Sequence, residues 1–199
     1  MGRSRFVRHK RLLTSLAIGI GIVALLVVSN FWWELWRISG AQGTFSMAEG
    51  LPPCNGQTLI EGFTYHFRDP HRGEIVTFHA HGQIGGEITP DPHSREIELN
   101  KRVIGAPGDT VVGRRNRVYV NGQKADDIPT EPFAAVHLGP EQYFVMGDNR
   151  SVSYDSRDFG PVPRAAIFAR AVMTLWPFSR IGVPRYDKSQ VPPGRLCGS

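Results

Sequence analysis

A mainly β domain behind a single N-terminal membrane-spanning helix is the fold class this sequence predicts, and three observations predict it. Residues Leu12 to Trp33 carry no charged side chain. Beyond Trp36 the chain breaks into short runs rich in Val, Ile, Phe, Tyr and Thr, separated by Gly, Pro and Asp. No stretch of that remainder repeats its apolar residues at the spacing of a long amphipathic helix.

The uncharged run reads "LLTSLAIGIGIVALLVVSNFWW". At about 1.5 Å per helical residue it would reach roughly 33 Å, enough to cross a bilayer core. Trp32, Trp33 and Trp36 then stand where an interfacial aromatic belt lies. Arg3, Arg5, Arg8, Lys10 and Arg11 precede the run without an acid among them, so the positive-inside rule puts residues 1–11 in the cytoplasm and the chain from about residue 37 outside. "ISGAQ" offers a small-x-small cleavage site ending at Ala41, the alternative being a removed secretory signal. The run is longer than a signal core of about 7 to 15 residues and ends in tryptophans, which favours a retained anchor. The predicted organisation is therefore a basic segment 1–11, a transmembrane helix with its aromatic belt over 12–36, an extracytoplasmic β domain over 37–185 and a loose tail over 186–199.

The chain has 199 residues, 41% of them apolar, and a formal charge of +5. The five N-terminal cations account for all of that excess, so no nucleic-acid partner is expected. Cys54 and Cys197 have no metal spacing and could pair in an oxidising compartment or stay apart. His79 and His81 could share a strand face, but a third ligand is missing, so neither a metal nor another cofactor is expected.

Predicted strands run through "QTLIEGFTYHF", "GEIVTFHAH", "REIELNKRVIGA", "DTVVG", "RVYVNGQKA", "EQYFVMG" and "AIFARAVMTLW". Asn121-Gly122 between two short runs predicts a type I′ hairpin. The glycines and prolines of residues 82–95 predict an exposed loop.

Two stretches carry candidate chemistry. In "ELNKRVIGAPGD" strand alternation sends either Lys101 or Arg102 toward whatever Leu99, Val103 and Ile104 pack against. Lys101 could snorkel to water, or it could be buried, neutral and basic. "MGDNRSVSYDSRDFGPVP" is dense in hydroxyls, amides and acid-arginine pairs, a pattern shared by site-bracing loops and by solvated turns. Gly-x-Ser-x-Gly, Ser-x-x-Lys, His-Glu-x-x-His and phosphate-binding glycine loops are all absent.

The order of "FSM" at 45–47, "RGEIVTF" at 72–78, "KRVIGAPGD" at 101–109 and "GDNRSVSYDSRDFG" at 147–160 resembles the bacterial type I signal peptidases, membrane-bound serine proteases with a Ser/Lys dyad. The resemblance implies a signal-peptidase-like β-sheet domain with one transmembrane helix. It also implies an endopeptidase that removes signal peptides from exported preproteins at Ala-x-Ala-like sites, beside membrane lipid and without a cofactor. Carried onto this chain, it implies Ser46 as nucleophile and Lys101 as general base, with Thr44 giving a hydroxyl to the oxyanion hole and Ser153 orienting the base. Asp155 and Arg157, with Gly147, Asp148 and Asn149, would support the site.

After Ser-Met, "AEGLPPCNG" departs from the family's usual x-Pro-Thr-Leu, and a rival register puts Cys54 at the nucleophile position. "LN" before Lys101 replaces an aromatic-aliphatic pair, which alters the expected fine preference for substrate. A non-catalytic tethered relative that binds exported segments, and a specialised peptidase maturing one dedicated substrate, are the alternatives the same residues leave open.

Overall fold

The computed structural model describes residues 17–29, 36–40, 45–47, 51, 56–82, 88–94 and 97–185. The basic segment 1–11, Trp32, Trp33, Ala41, Thr44, Cys54, the tail 186–199 and Cys197 lie outside the described residues. The chain divides into two compact units between Arg37 and Ile38.

In the first unit helix α1 covers residues 17–29, every one of them exposed. Thirteen residues at about 1.5 Å each extend roughly 20 Å. No helix among the described residues is long and apolar enough to cross a membrane.

The rest is β structure, as expected. The strands are β1 (Trp36–Gly40), β2 (Gln57–Glu61), β3 (Ile75–His81), β4 (Thr89–Pro90), β5 (Ile97–Gly105), β6 (Thr110–Arg114), β7 (Arg117–Val120), β8 (Gln123–Lys124), β9 (Phe133–His137), β10 (Gln142–Met146), β11 (Val162–Pro163) and β12 (Ile167–Trp176). An eight-stranded sheet has the order β1-β2-β12-β3-β5-β10-β11, with β4 on β3, and a four-stranded sheet has the order β8-β7-β6-β9. Antiparallel pairing between strands distant in sequence lets β5 and β10 lie side by side inside the larger sheet.

Alternation along these central strands feeds two cores. Val103 of β5 and Tyr143 and Val145 of β10 join Val76, Phe78 and Ile167 on one face. Ile104, Phe144 and Met146 point the other way, onto Val111, Val118, Val120 and Leu138, which include the apolar side of the smaller sheet. Each such side chain taken from water contributes about 1.5–3 kcal/mol. Burial on both faces gives the second half of β5 and most of β10 a protected backbone on which a site can be held.

Several elements differ from expectation. The strand predicted over "QTLIEGFTYHF" stops at Glu61 because its carboxylate accepts the Thr64 amide at 2.9 Å and starts a 3-10 turn, Phe63–His66. Within residues 82–95 the described part is not all loop, since Thr89 and Pro90 pair with His81 and Ala80 of β3. Proline is tolerated there because β4 is a sheet edge. Trp36, expected in the aromatic belt, begins strand β1. A one-turn helix, α2 (Ser156–Phe159), forms where only a polar loop was expected, held by a capping box between Asp155 and Asp158. The hairpin at Asn121-Gly122 is present, with φ of 50° and 81° at the two turn residues.

Candidate active site

Lys101 is the fifth residue of β5, opposite Val76 of β3 in the sheet register. Alternation puts it on the face of Leu99 and Val103, both part of the first core, and only 3% of its surface reaches solvent. Nζ donates to Ser153 Oγ at 3.1 Å. Burial pulls the amine down to about 8; the Asp155 carboxylate opposes this and the Arg157 guanidinium adds to it. An ammonium in this apolar setting loses hydration that one hydroxyl replaces only in part, so the balance moves toward the neutral amine relative to a free lysine.

Ser46 arrives on a 3-10 turn, Phe45–Met47, that packs against β5. Met47 anchors the turn, wholly buried with Leu51 and Ile75. The Leu51 amide closes onto the Met47 carbonyl at 2.7 Å, and the Asn149 amide donates to the Ser46 carbonyl at 3.0 Å. Ser46 is itself half-buried.

Gly147 joins the two halves. A Cβ added to it would strike the Ser153 side chain and the Ser46 carbonyl, so only glycine lets these segments approach. Its amide donates to Asp155 Oδ2 at 3.0 Å. Asp155 is wholly buried, caps α2, and receives Arg157 Nε and Nη2 at 2.9 Å each. Burial pushes its carboxyl up, but the Arg157 bonds and the Gly147 amide outweigh that and hold it below the ordinary carboxylate range. Arg157 also donates to the carbonyls of Arg150 and Ser153, at 2.8 and 3.2 Å, which fixes the stretch that carries Ser153.

Of the residues singled out from sequence, Ser46, Lys101, Gly147, Asp148, Asn149, Ser153, Asp155 and Arg157 lie in this one connected network. Thr44 and Cys54 are not among the described residues. Two members were missed. Arg102, which the sequence distinguishes only by its alternation with Lys101, takes the other side and grips buried Asp148 through Nε and Nη2 at 2.7 and 2.6 Å. Arg150 reaches the smaller sheet's side of the molecule. Adjacency of Lys101 and Arg102 was visible in sequence, but partners 46 residues apart were not. No group of His, Cys, Asp and Glu among the described residues could hold a metal ion.

Residues 10–176 match the family described as signal peptidase, peptidase S26. The chain belongs to that family. A signal peptidase I of Leptolyngbya laminosa is 34% identical over 173 residues, covering 83% of this chain and 79% of the relative. A probable signal peptidase I-2 of Synechocystis sp. is 32% identical over 182 residues, covering 87% and 74%. A solved signal peptidase I of Enterococcus faecalis is 28% identical, covers 50% of this chain and 94% of its own, and superposes with a TM-score of 0.39. The chain is accordingly a serine endopeptidase that removes signal peptides, with exported preproteins as its substrates.

Proposed function

We propose that this signal peptidase cuts by a Ser/Lys dyad, with Ser46 Oγ as nucleophile and Lys101 Nζ as general base. The observation that carries the reading is Lys101, a buried amine drawn down to about 8 and held by Ser153 Oγ at 3.1 Å. A free lysine near 10.4 is neutral in about one molecule in 2,500 at pH 7; one near 8 is neutral in about one in ten, a gain of roughly 250-fold in working base.

In this reading the amine takes the Ser46 proton as Oγ attacks the scissile carbonyl, then returns it to the departing amine. Water, deprotonated by the same lysine, hydrolyses the acyl-enzyme. The Ser46 amide and the Thr44 hydroxyl would hold the oxyanion, a contribution of about 2.7–4 kcal/mol per donor in such sites. Ser153 orients the base, and Asp155, Arg157, Gly147, Asp148 and Asn149 hold the loop. The substrates would be preproteins with Ala-x-Ala-like sites. Residues 1–11 would lie in the cytoplasm, the uncharged run 12–33 would span the membrane once, and the β domain up to residue 185 would work outside against lipid, where a cleavage site emerges from the bilayer.

The test is cleavage of a preprotein bearing an Ala-x-Ala site by the detergent-solubilised full chain with added lipid. Ser46→Ala and Lys101→Ala should both be inactive and Cys54→Ala active. Loss in Cys54→Ala with cleavage surviving in Ser46→Ala would move the nucleophile to Cys54.

A further inference from the structure

Arg150 is the residue for which the dyad reading has no use, and it is among the best-tied side chains in the molecule. Only 5% of it is exposed. Nε donates to the Gly147 carbonyl at 2.9 Å, Nη1 to Thr130 Oγ1 at 2.8 Å and Nη2 to Asp126 Oδ2 at 2.5 Å. Thr130 and Asp126 belong to residues 125–132, the connection from β8 to β9 in the smaller sheet.

That connection is held at its own end. Asp126 Oδ1 accepts the Ile128 amide at 3.0 Å, and Thr130 Oγ1 donates to the Ile128 carbonyl at 3.1 Å. Ile128 and Thr130 are buried, at 5% and 2% exposure. A guanidinium out of water needs its donors met and its charge balanced, and here one side chain is met by both sheets' segments at once. The peptide it grips is the one that matters most at the site. Gly147 is clamped through its amide by Asp155 and through its carbonyl by Arg150, and its Cα is wedged between the Ser46 carbonyl and the Ser153 side chain.

We propose that Asp126 and Thr130 are positioning residues for proteolysis, holding the Gly147 peptide through Arg150 and thereby the placement of Ser46 against Ser153 and Lys101. The smaller sheet then serves as a fixed support for the site, not only as a cover for the core. The proposal rests on the Ser46–Lys101 reading, because Gly147 matters to rate only if those two residues react. A cavity of about 220 Å³ bordered by Asp126, Arg102 and Lys124 gives substitutions at Asp126 room without overpacking.

The experiment compares Thr130→Val, Asp126→Asn and Asp126→Glu in the detergent-solubilised full chain, measuring kcat, KM, Tm and the pH dependence of kcat. Thr130→Val is the most conservative, since it keeps volume and charge and removes the acceptor for Nη1 together with the Oγ1 bond to the neighbouring Ile128 carbonyl. The expected result is a fall in kcat of about 10- to 100-fold with KM within about twofold, the size that small misplacements of reacting groups produce. The ascending limb of the pH profile should move upward as the loosened site admits water to Lys101, whose charged neighbours Asp155, Arg157, Asp158 and Asp148 are unchanged. Asp126→Glu should recover part of the rate that Asp126→Asn loses.

Unchanged kcat and limb in folded Thr130→Val and Asp126→Asn would overturn the proposal. So would a loss seen only in KM, or one matched entirely by lowered Tm. Ser46→Ala in the same series separates the two readings: cleavage by Ser46→Ala refutes the dyad, whereas an inactive Ser46→Ala beside fully active Thr130→Val and Asp126→Asn refutes only the support.

Discussion

Lys101 and Ser46, the proposed dyad, are carried on opposite kinds of backbone. Lys101 sits mid-strand in the nine-residue β5, which pairs with β3 over Ile97–Arg102 and with β10 over Arg102–Gly105, and the lysine itself is buried. Ser46 rides a three-residue turn anchored by Met47 beneath it and by one amide from Asn149. The difference follows from what each group must be. A lysine becomes a base at neutral pH only where water is kept from it, and the inside of a sheet guarantees that. A hydroxyl that meets a polypeptide must stay reachable, which a half-buried turn allows.

The sharpest way to break that contrast is to make the charge at the buried position permanent. Lys101→Arg keeps length and polarity but cannot give up its proton, and kcat should fall about 10³-fold or more in a peptide cleavage assay. Appreciable activity would show that the group at 101 need not be neutral.

Pushing the turn and the strand apart comes next. Gly147→Ala puts a methyl against Ser153 and the Ser46 carbonyl, and kcat should drop about 100-fold with a stability loss of about 1–3 kcal/mol. Activity within twofold of the parent would mean the close approach is not required.

The third prediction reads the burial of Lys101 as stability. Its amine goes from an ordinary value of 10.5 to about 8 on folding, so in that window the unfolded chain binds more protons than the native one. The destabilisation is fully present below about pH 8 and disappears as pH rises past about 10.5, and its size is about 3 kcal/mol at 1.36 kcal/mol per unit. Lys101→Met should therefore be inactive yet more stable than the parent at pH 7, by about 2 kcal/mol after loss of the Ser153 bond. The gain should vanish near pH 10.5; denaturant melts that show an equal gain at both pH values would contradict it.

The smallest effect tests the base in place. With all else intact, kcat should rise about tenfold per pH unit and level off above about pH 8. Ser153→Ala should lower kcat by about tenfold, the scale of one hydrogen bond to a charged or reacting group. A flat profile between pH 6 and 8 would assign proton transfer elsewhere.

The parts of the fold legible in sequence were those governed by local rules. Asn121-Gly122 specifies its own turn, and the β-branched runs around it became β6, β7 and β8. β9 was not legible, because "FAAVH" has two adjacent exposed alanines, which break any apolar-polar alternation, and little β-branching. α2 depends on a cap whose carboxylate is also bonded to Gly147, so its four residues carry too little local signal.

For the site, the quoted motifs placed Lys101 and Ser153 in separate segments, and the fold brings them to 3.1 Å across 52 residues of sequence. Which face Lys101 takes was hidden because Asn100 on the opposite face is also buried, hydrogen-bonded with Thr77 at 2.7 Å, so β5 shows no inside-outside alternation. The grips of Arg102 on Asp148 and of Arg150 on Asp126 depend on the topology of both sheets, which no local pattern encodes.

Asp155 has one further consequence, for how the enzyme ages in heat. The same carboxylate caps α2, holds the Gly147 amide and pairs with Arg157. Because one side chain makes all of these bonds, residues 147–157 are expected to open as one cooperative unit ahead of either sheet. Amide exchange at Gly147 should then track the half-life of activity on warming, while the central amides of β5 exchange only on global unfolding.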